Sequence, residues 1–126
     1  MTAPVHVTFK GLAARPDIDA LIHEGVADLA RHYAHFIETR VRVEVPHRHH
    51  ASGNDVEVLI ELVVPHERLV VTHTAKAHDD GARGEATLGR AVRDAFDVAE
   101  RVVADYAARQ RDHLRSRAAT LPMHGR

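Results

Sequence analysis

Two segments in the middle of the chain alternate between apolar and polar positions. From Ile37 to Val45, and again from Val56 to Val64, every second residue is apolar except Thr39, and the residues between them in the first segment are all charged. Successive side chains of a β-strand point to opposite sides, so this pattern predicts two strands, each with one dry and one solvated face. The segments are close enough in sequence to form an antiparallel hairpin, whose dry face another element must cover.

The rest of the chain supplies two further strands and two helices. Alternation predicts a short strand over residues 5–10 and another over 69–77, the latter following a tight connection at residues 65–67. Apolar residues recur at helical spacing over 16–33 and 85–117. The predicted fold class is therefore α+β, a βαβββα two-layer sandwich in which two helices cover one face of a four-stranded sheet. The pairing partner of the first strand cannot be deduced from the sequence.

Gly25 interrupts the first predicted helix. A glycine inside a helix costs about 1 kcal/mol relative to alanine. We therefore predict that this helix comes close to a strand at Gly25, where a side chain would not fit.

Length and composition favour one domain. We predict a single domain over residues 1–117 followed by a flexible C-terminal tail over 118–126, where proline and glycine interrupt the helical pattern. There is no cysteine, which excludes disulfides, thiol catalysis and thiolate metal sites. No apolar run approaches the roughly 18 residues that a membrane span needs, and the N-terminus lacks a signal-peptide pattern. These features predict a soluble, cytoplasmic protein that does not associate with membranes.

The charged residues are balanced in number but unevenly distributed. The chain has 17 basic and 18 acidic residues, whereas residues 101–126 contain 6 basic and 2 acidic ones. Fifteen of the basic residues are arginines, whose planar guanidinium suits phosphate contacts. The composition gives no bulk attraction to nucleic acid, but it indicates a locally basic C-terminal helix.

Four segments together resemble a known family. Val43–Asn54 (VEVPHRHHASGN), Leu62–Pro65 (LVVP), Ala91–Asp97 (AVRDAFD) and Asp105–Arg111 (DYAARQR) are similar in order and spacing to the ribosome hibernation-promoting factors, also called ribosome-associated inhibitors or sigma-54 modulation proteins. The resemblance extends from about Val5 to Arg111. It implies a fold like that of double-stranded RNA-binding domains and a factor that occupies the decoding channel of the small ribosomal subunit during stress or stationary phase.

The resemblance implies inhibition of translation by occupancy, with the small subunit and its rRNA as partners. It implies neither catalysis, nor a cofactor, nor a small-molecule substrate. Such a protein needs basic side chains outside its core to meet phosphates. The candidate rRNA-binding residues are Arg31, Arg48, Arg90, Arg93, Arg101, Arg109, Arg111 and Arg115. The first helix carries four acidic residues against Arg31, unlike the strongly basic helices of many relatives.

Two other interpretations remain open at this level. The arginines of the second helix lie four residues from aspartates, the spacing of intrahelical ion pairs worth about 0.2 to 0.5 kcal/mol each, and could simply form a solvated face. The protein could also be a small stress or metal-binding protein that acts through self-association without RNA; its oligomeric state cannot be predicted.

Metal binding and catalysis are disfavoured by the motifs. His47, His49 and His50 crowd one loop, but no HExxH motif accompanies them, and we predict no metal site. His73 is predicted to be a half-buried strand residue with a hydrogen-bond partner. The chain has two serines and none of the usual nucleophile or phosphate-loop motifs, so no enzymatic activity is predicted.

Overall fold

The computed structural model describes residues 3–33, 35–45, 55–75 and 84–120, and for residues 84–87 and 116–120 it describes the helical backbone alone. The elements follow the predicted βαβββα order, and the α+β class is confirmed. They are β1 (Val5–Lys10), α1 (Pro16–His32), β2 (Glu38–Glu44), β3 (Val56–Val64), β4 (Glu67–Ala75) and α2 (Gly84–Thr120). The sheet order is β1-β2-β3-β4.

The sheet is mixed. β1 pairs with β2 in parallel, which settles the partner that the sequence left open, and β2, β3 and β4 form an antiparallel meander. Strand β4 begins two residues earlier than predicted, because Val64 already pairs with Glu67 across a two-residue connection. His66 has a φ of 70° in this connection, the left-handed region that few residues other than glycine adopt.

The dry face of the sheet carries the core. Both helices lie on this face: α1 packs near β1, α2 packs on β3 and β4, and the helices pack against each other. The fully buried side chains include Ile22 of α1, Val92 of α2 and Ile60 of β3, each 0% exposed. The prediction that Ile37 shares the dry face is wrong, since it precedes β2 and is 54% exposed.

The close approach at Gly25 exists, but it is to a helix. A Cβ atom at this position would lie 2.7 Å from two ring carbons of Phe96 in α2. The prediction of a nearby strand is therefore wrong. Gly25 allows α1 and α2 to pack closely over the sheet.

Helix α2 extends beyond the core. Its 37 residues correspond to a length of about 55 Å at 1.5 Å per residue. Ala107 is the last of its buried residues among the described side chains, and the side chains of residues 111–115 are all exposed. The helix includes residues 118–120, which the sequence placed in the tail; residues 121–126 lie outside the described residues. Neither helix of the described chain is long and apolar enough to cross a membrane.

Candidate nucleic-acid interface

Five exposed arginines share the outer face of α2. At 100° per residue they fall within an arc of roughly 80°, opposite the side chains that α2 buries in the core. They are Arg90, Arg93, Arg101, Arg111 and Arg115. From the first to the last, this arginine face spans about 37 Å of helix.

Most of these guanidinium groups have no partner among the residues that the structure describes. In the described part of the chain, Arg90, Arg93, Arg101 and Arg111 make no ion pair within 4 Å and no hydrogen bond. Arg115 is an exception, with its Nη2 at 3.7 Å from Asp112 Oδ1. None of the aspartate–arginine pairs that four-residue spacing allows between Arg90 and Arg109 forms among the described residues.

Two carboxylates of α2 instead face neighbouring elements. Asp94 Oδ2 lies 3.8 Å from His73 Nε2 of β4, and Glu100 Oε2 lies 3.3 Å from His32 Nε2 of α1. These contacts turn the acidic side chains toward the flanks of α2. The outer face is left with the arginines, interrupted by Asp97, and can contact several phosphates in a row.

Arg109 lies off this face, against an aromatic cluster. Its guanidinium carbon is 5.9 Å from the ring centroid of Tyr106, within the range of a cation–π contact. The buried Tyr106 packs edge-to-face on Tyr33, with ring centroids 5.2 Å apart, and the Tyr33 hydroxyl donates to the Tyr106 hydroxyl at 3.5 Å. Burial and this hydrogen bond raise the pKa of Tyr33 to about 12, so Tyr33 stays neutral at physiological pH.

The other two candidate arginines are not on α2. Arg31 lies in the last turn of α1, exposed, with its Nη1 at 3.4 Å from Asp28 Oδ1. The described surface of α1 is acidic, and the helix layer is thus divided into an acidic α1 and an arginine-rich α2. Arg48 and the neighbouring histidines belong to residues 46–54, outside the described residues.

The described histidines do not build a metal centre. No group of three potential ligands among histidine, aspartate and glutamate comes together in the described ranges. His73 is half-buried, as predicted, and its closest charged neighbour is Asp94 at 3.8 Å, beyond hydrogen-bond distance.

Comparison with known proteins decides the family. The model of the family described as "Sigma 54 modulation protein / S30EA ribosomal protein" matches residues 5–111. The chain belongs to this family. The resemblance inferred from the sequence motifs is confirmed. The family is one of ribosome-associated factors and not of enzymes.

Solved structures share the fold. A ribosomal subunit interface protein from Coxiella burnetii superimposes with a TM-score of 0.65 at 10% identity, covering 83% of this chain and 98% of that one. The N-terminal domain of Protein Y from Thermus thermophilus gives a TM-score of 0.62 at 17% identity, covering 84% and 99%. At these identities the likeness establishes the fold alone. No curated protein sequence matches the chain.

Proposed function

We propose that this family member binds the small ribosomal subunit in the cytoplasm through rRNA, occupies the decoding channel during stress or stationary phase, and thereby inhibits translation. The observation that carries the proposal is the arginine face of α2, on which four of five guanidinium groups lack an ion-pair or hydrogen-bond partner among the described residues. Inhibition needs no chemistry, because a bound domain excludes messenger RNA and tRNA by its volume.

The arginine face suits a phosphate backbone. Each guanidinium can donate two parallel hydrogen bonds to one phosphate and release a condensed counterion. Four arginines that each neutralise one phosphate of a duplex would give a slope of about −3.6 in the dependence of log K on log salt. Binding is therefore expected to be strong at low salt and to weaken steeply as salt rises.

The remaining candidate arginines have supporting roles in this proposal. Arg109 is oriented by the Tyr106 ring, which leaves its outer edge free to meet a phosphate beside the main face. Arg31 contributes less, because Asp28 already pairs with it and the rest of α1 is acidic. Arg48, in the loop between β2 and β3, would help to position the domain.

A charge-matched comparison tests the arginine face. The variant Arg93→Gln/Arg101→Gln removes two positive charges from it, and Lys10→Gln/Arg15→Gln removes two from elsewhere. In co-sedimentation with purified small subunits over a salt series, the first variant should bind more weakly, and its slope should be smaller by about 2. The control should keep the wild-type slope. Wild-type protein that sediments free of subunits at low salt would refute the proposal.

Occupancy of the decoding channel has its own test. Small subunits preloaded with messenger RNA and initiator tRNA should bind the protein less well than empty subunits, and the protein should inhibit translation in a purified system in proportion to the subunits it occupies. Equal binding to empty and preloaded subunits would place the protein elsewhere on the ribosome.

A further inference from the structure

The solvated face of the sheet, on the opposite side from the helices, contains a small polar hollow. Strands β1 and β2 place His6 beside Arg40 and Thr8 beside Arg42, so these four polar side chains are neighbours on the solvated face. The hollow has a volume of about 240 Å³, and Leu59 and Glu61 of β3 form its other wall.

The hollow exists because the two arginines lean apart. Arg40 Nε donates a hydrogen bond to Glu38 Oε2 at 2.8 Å, and Arg42 Nε lies 3.6 Å from Glu44 Oε1. Glu38 precedes Arg40 by two residues and Glu44 follows Arg42 by two, so each carboxylate draws its arginine toward a different end of β2. Val41 points into the core, and strand backbone forms the floor between them.

These carboxylates fix the arginines without using their terminal nitrogens. The hydrogen bond to Glu38 engages Nε alone, and among the described residues the Nη groups of Arg40 and Arg42 donate no hydrogen bond. The hydrogen bond from Arg40 lowers the pKa of Glu38 and raises that of Arg40, which keeps this pair charged. Two guanidinium groups whose Cα atoms are about 7 Å apart on one strand are therefore oriented with free donors beside the hollow.

A tetrahedral oxyanion matches this set of donors. We propose that the hollow binds a phosphate group, with the Nη groups of Arg40 and Arg42 and the hydroxyl of Thr8 as donors. Guanidinium forks match phosphate geometry and form charge-assisted hydrogen bonds. Glu61 opposes an anion here, but its carboxylate is engaged by Arg68 at 3.2 Å.

The ligand is a phosphate ester, either of a free nucleotide or of an RNA backbone. This site stands apart from the proposed function, because it uses the sheet layer and none of the α2 arginines. An RNA phosphate in the hollow would give the domain RNA contacts on the solvated face of the sheet as well as on the arginine face of α2. Such a domain could bind between two RNA segments. A nucleotide would make the same hollow a small-molecule site.

Heteronuclear NMR of the full chain at constant ionic strength tests the proposal. Inorganic phosphate and adenosine monophosphate should shift the Nε–H signals of Arg40 and Arg42 saturably, whereas adenosine should not. The variant Arg40→Gln/Arg42→Gln should weaken phosphate binding about tenfold or more. The charge-matched Lys10→Gln/Arg15→Gln should bind within twofold of wild type.

A variant that should bind phosphate more tightly keeps the proposal testable even if Arg40→Gln/Arg42→Gln does not fold. Glu61→Gln removes the carboxylate of the hollow wall and frees Arg68, so phosphate should bind several-fold more tightly. Arginine shifts that do not saturate, or that affect all exposed arginines equally, would overturn the proposal. So would phosphate-induced shifts of the β1 and β2 backbone amides that persist in Arg40→Gln/Arg42→Gln.

Two further arms identify the source of the phosphate. If the source is RNA, a short single-stranded oligonucleotide should displace adenosine monophosphate from the hollow, and Arg40→Gln/Arg42→Gln should also weaken binding to small subunits. If the source is a free nucleotide, the nucleotide should bind equally well to free and subunit-bound protein. Failure to bind subunits would refute the proposed function and leave the phosphate measurement valid, so the two failures can be told apart.

Discussion

Gly25 and Gly89, each in the interior of a helix, should respond in opposite ways to replacement by alanine. A Cβ at Gly25 would meet three ring carbons of Phe96 at 2.7 to 2.9 Å. A Cβ at Gly89 would meet only the guanidinium of Arg93, at 3.7 to 4.0 Å, which is ordinary contact with the mobile end of a side chain. The same chemical change is thus made once where the methyl group overlaps a ring and once where it makes ordinary van der Waals contact.

The magnitudes follow from two opposing effects. Alanine stabilises a helix interior by roughly 0.5 to 1 kcal/mol relative to glycine, so Gly89→Ala should raise the free energy of unfolding by about that amount. At Gly25 the ring must withdraw by about 1 Å to restore a normal carbon–carbon distance of about 3.5 to 4.0 Å. Overpacking of this kind costs about 1 to 3 kcal/mol. Because the helix propensity gain is common to both variants, their difference in stability should equal this overpacking cost.

Urea denaturation followed by far-ultraviolet circular dichroism measures the difference directly. For a chain of this size, each kcal/mol should also shift the melting temperature by roughly 3 to 6 °C. In a Phe96→Leu background, the loss caused by Gly25→Ala should shrink by more than half, since the ring that meets the new methyl group is gone. If Gly25→Ala were as stable as Gly89→Ala, the packing explanation for Gly25 would be refuted.

Two further predictions concern a buried hydroxyl and a shifted pKa. Thr39 Oγ1 is fully buried with no hydrogen-bond partner in the described ranges, so Thr39→Val should raise the free energy of unfolding by about 1 kcal/mol in urea denaturation. As a control, Thr72→Val at an exposed position should change this free energy by less than about 0.5 kcal/mol. A destabilised Thr39→Val would show that the hydroxyl has a partner. The pKa of Tyr33 is about 12 in the folded protein, against an ordinary value of 10. Tyr33 therefore contributes fully to stability below pH 10, and this contribution is lost as pH rises toward 12, because the tyrosine ionises first in the unfolded chain. In Tyr106→Phe, Tyr33 is the one remaining tyrosine, so phenolate absorbance reports its pKa alone. This pKa should lie between 10 and 12, since burial persists and the hydrogen bond is lost. A pKa of 10 would contradict the burial argument.

The strands were predictable because their signal is local. Apolar and polar residues alternate with a period of two along β2 and β3, because each strand has one buried face. This alternation is visible without any knowledge of distant residues. The start of β4 was missed because the two-residue connection uses His66 in a left-handed conformation. Sequence reasoning recognises such turns by glycine or asparagine, and neither is present there.

Features that depend on distant residues could not be predicted. Gly25 was recognised as an anomaly, but its partner Phe96 lies 71 positions further along the chain, and nothing local distinguishes a helix from a strand as the neighbour. Among the intrahelical ion pairs considered for α2, the one between Arg90 and Asp94 is missing for a similar reason, because Asp94 faces His73 of β4 instead. The parallel pairing of β1 with β2 could also not be predicted from the sequence. The same holds for the position of Arg109 beside the ring of Tyr106.

In the proposed function, the division of charge between the two helices constrains how the domain can approach RNA. Helix α1 carries Asp17, Asp19, Glu24 and Asp28 within 12 residues, whereas α2 displays its arginine face. The two helices pack side by side over the same face of the sheet, so an RNA strand lying flat across both would meet repulsion on one side and attraction on the other. A pose that seats the arginine face on the phosphates must therefore rotate α1 away from the backbone. Under the proposed function, this chain should therefore bind RNA in a narrow range of orientations.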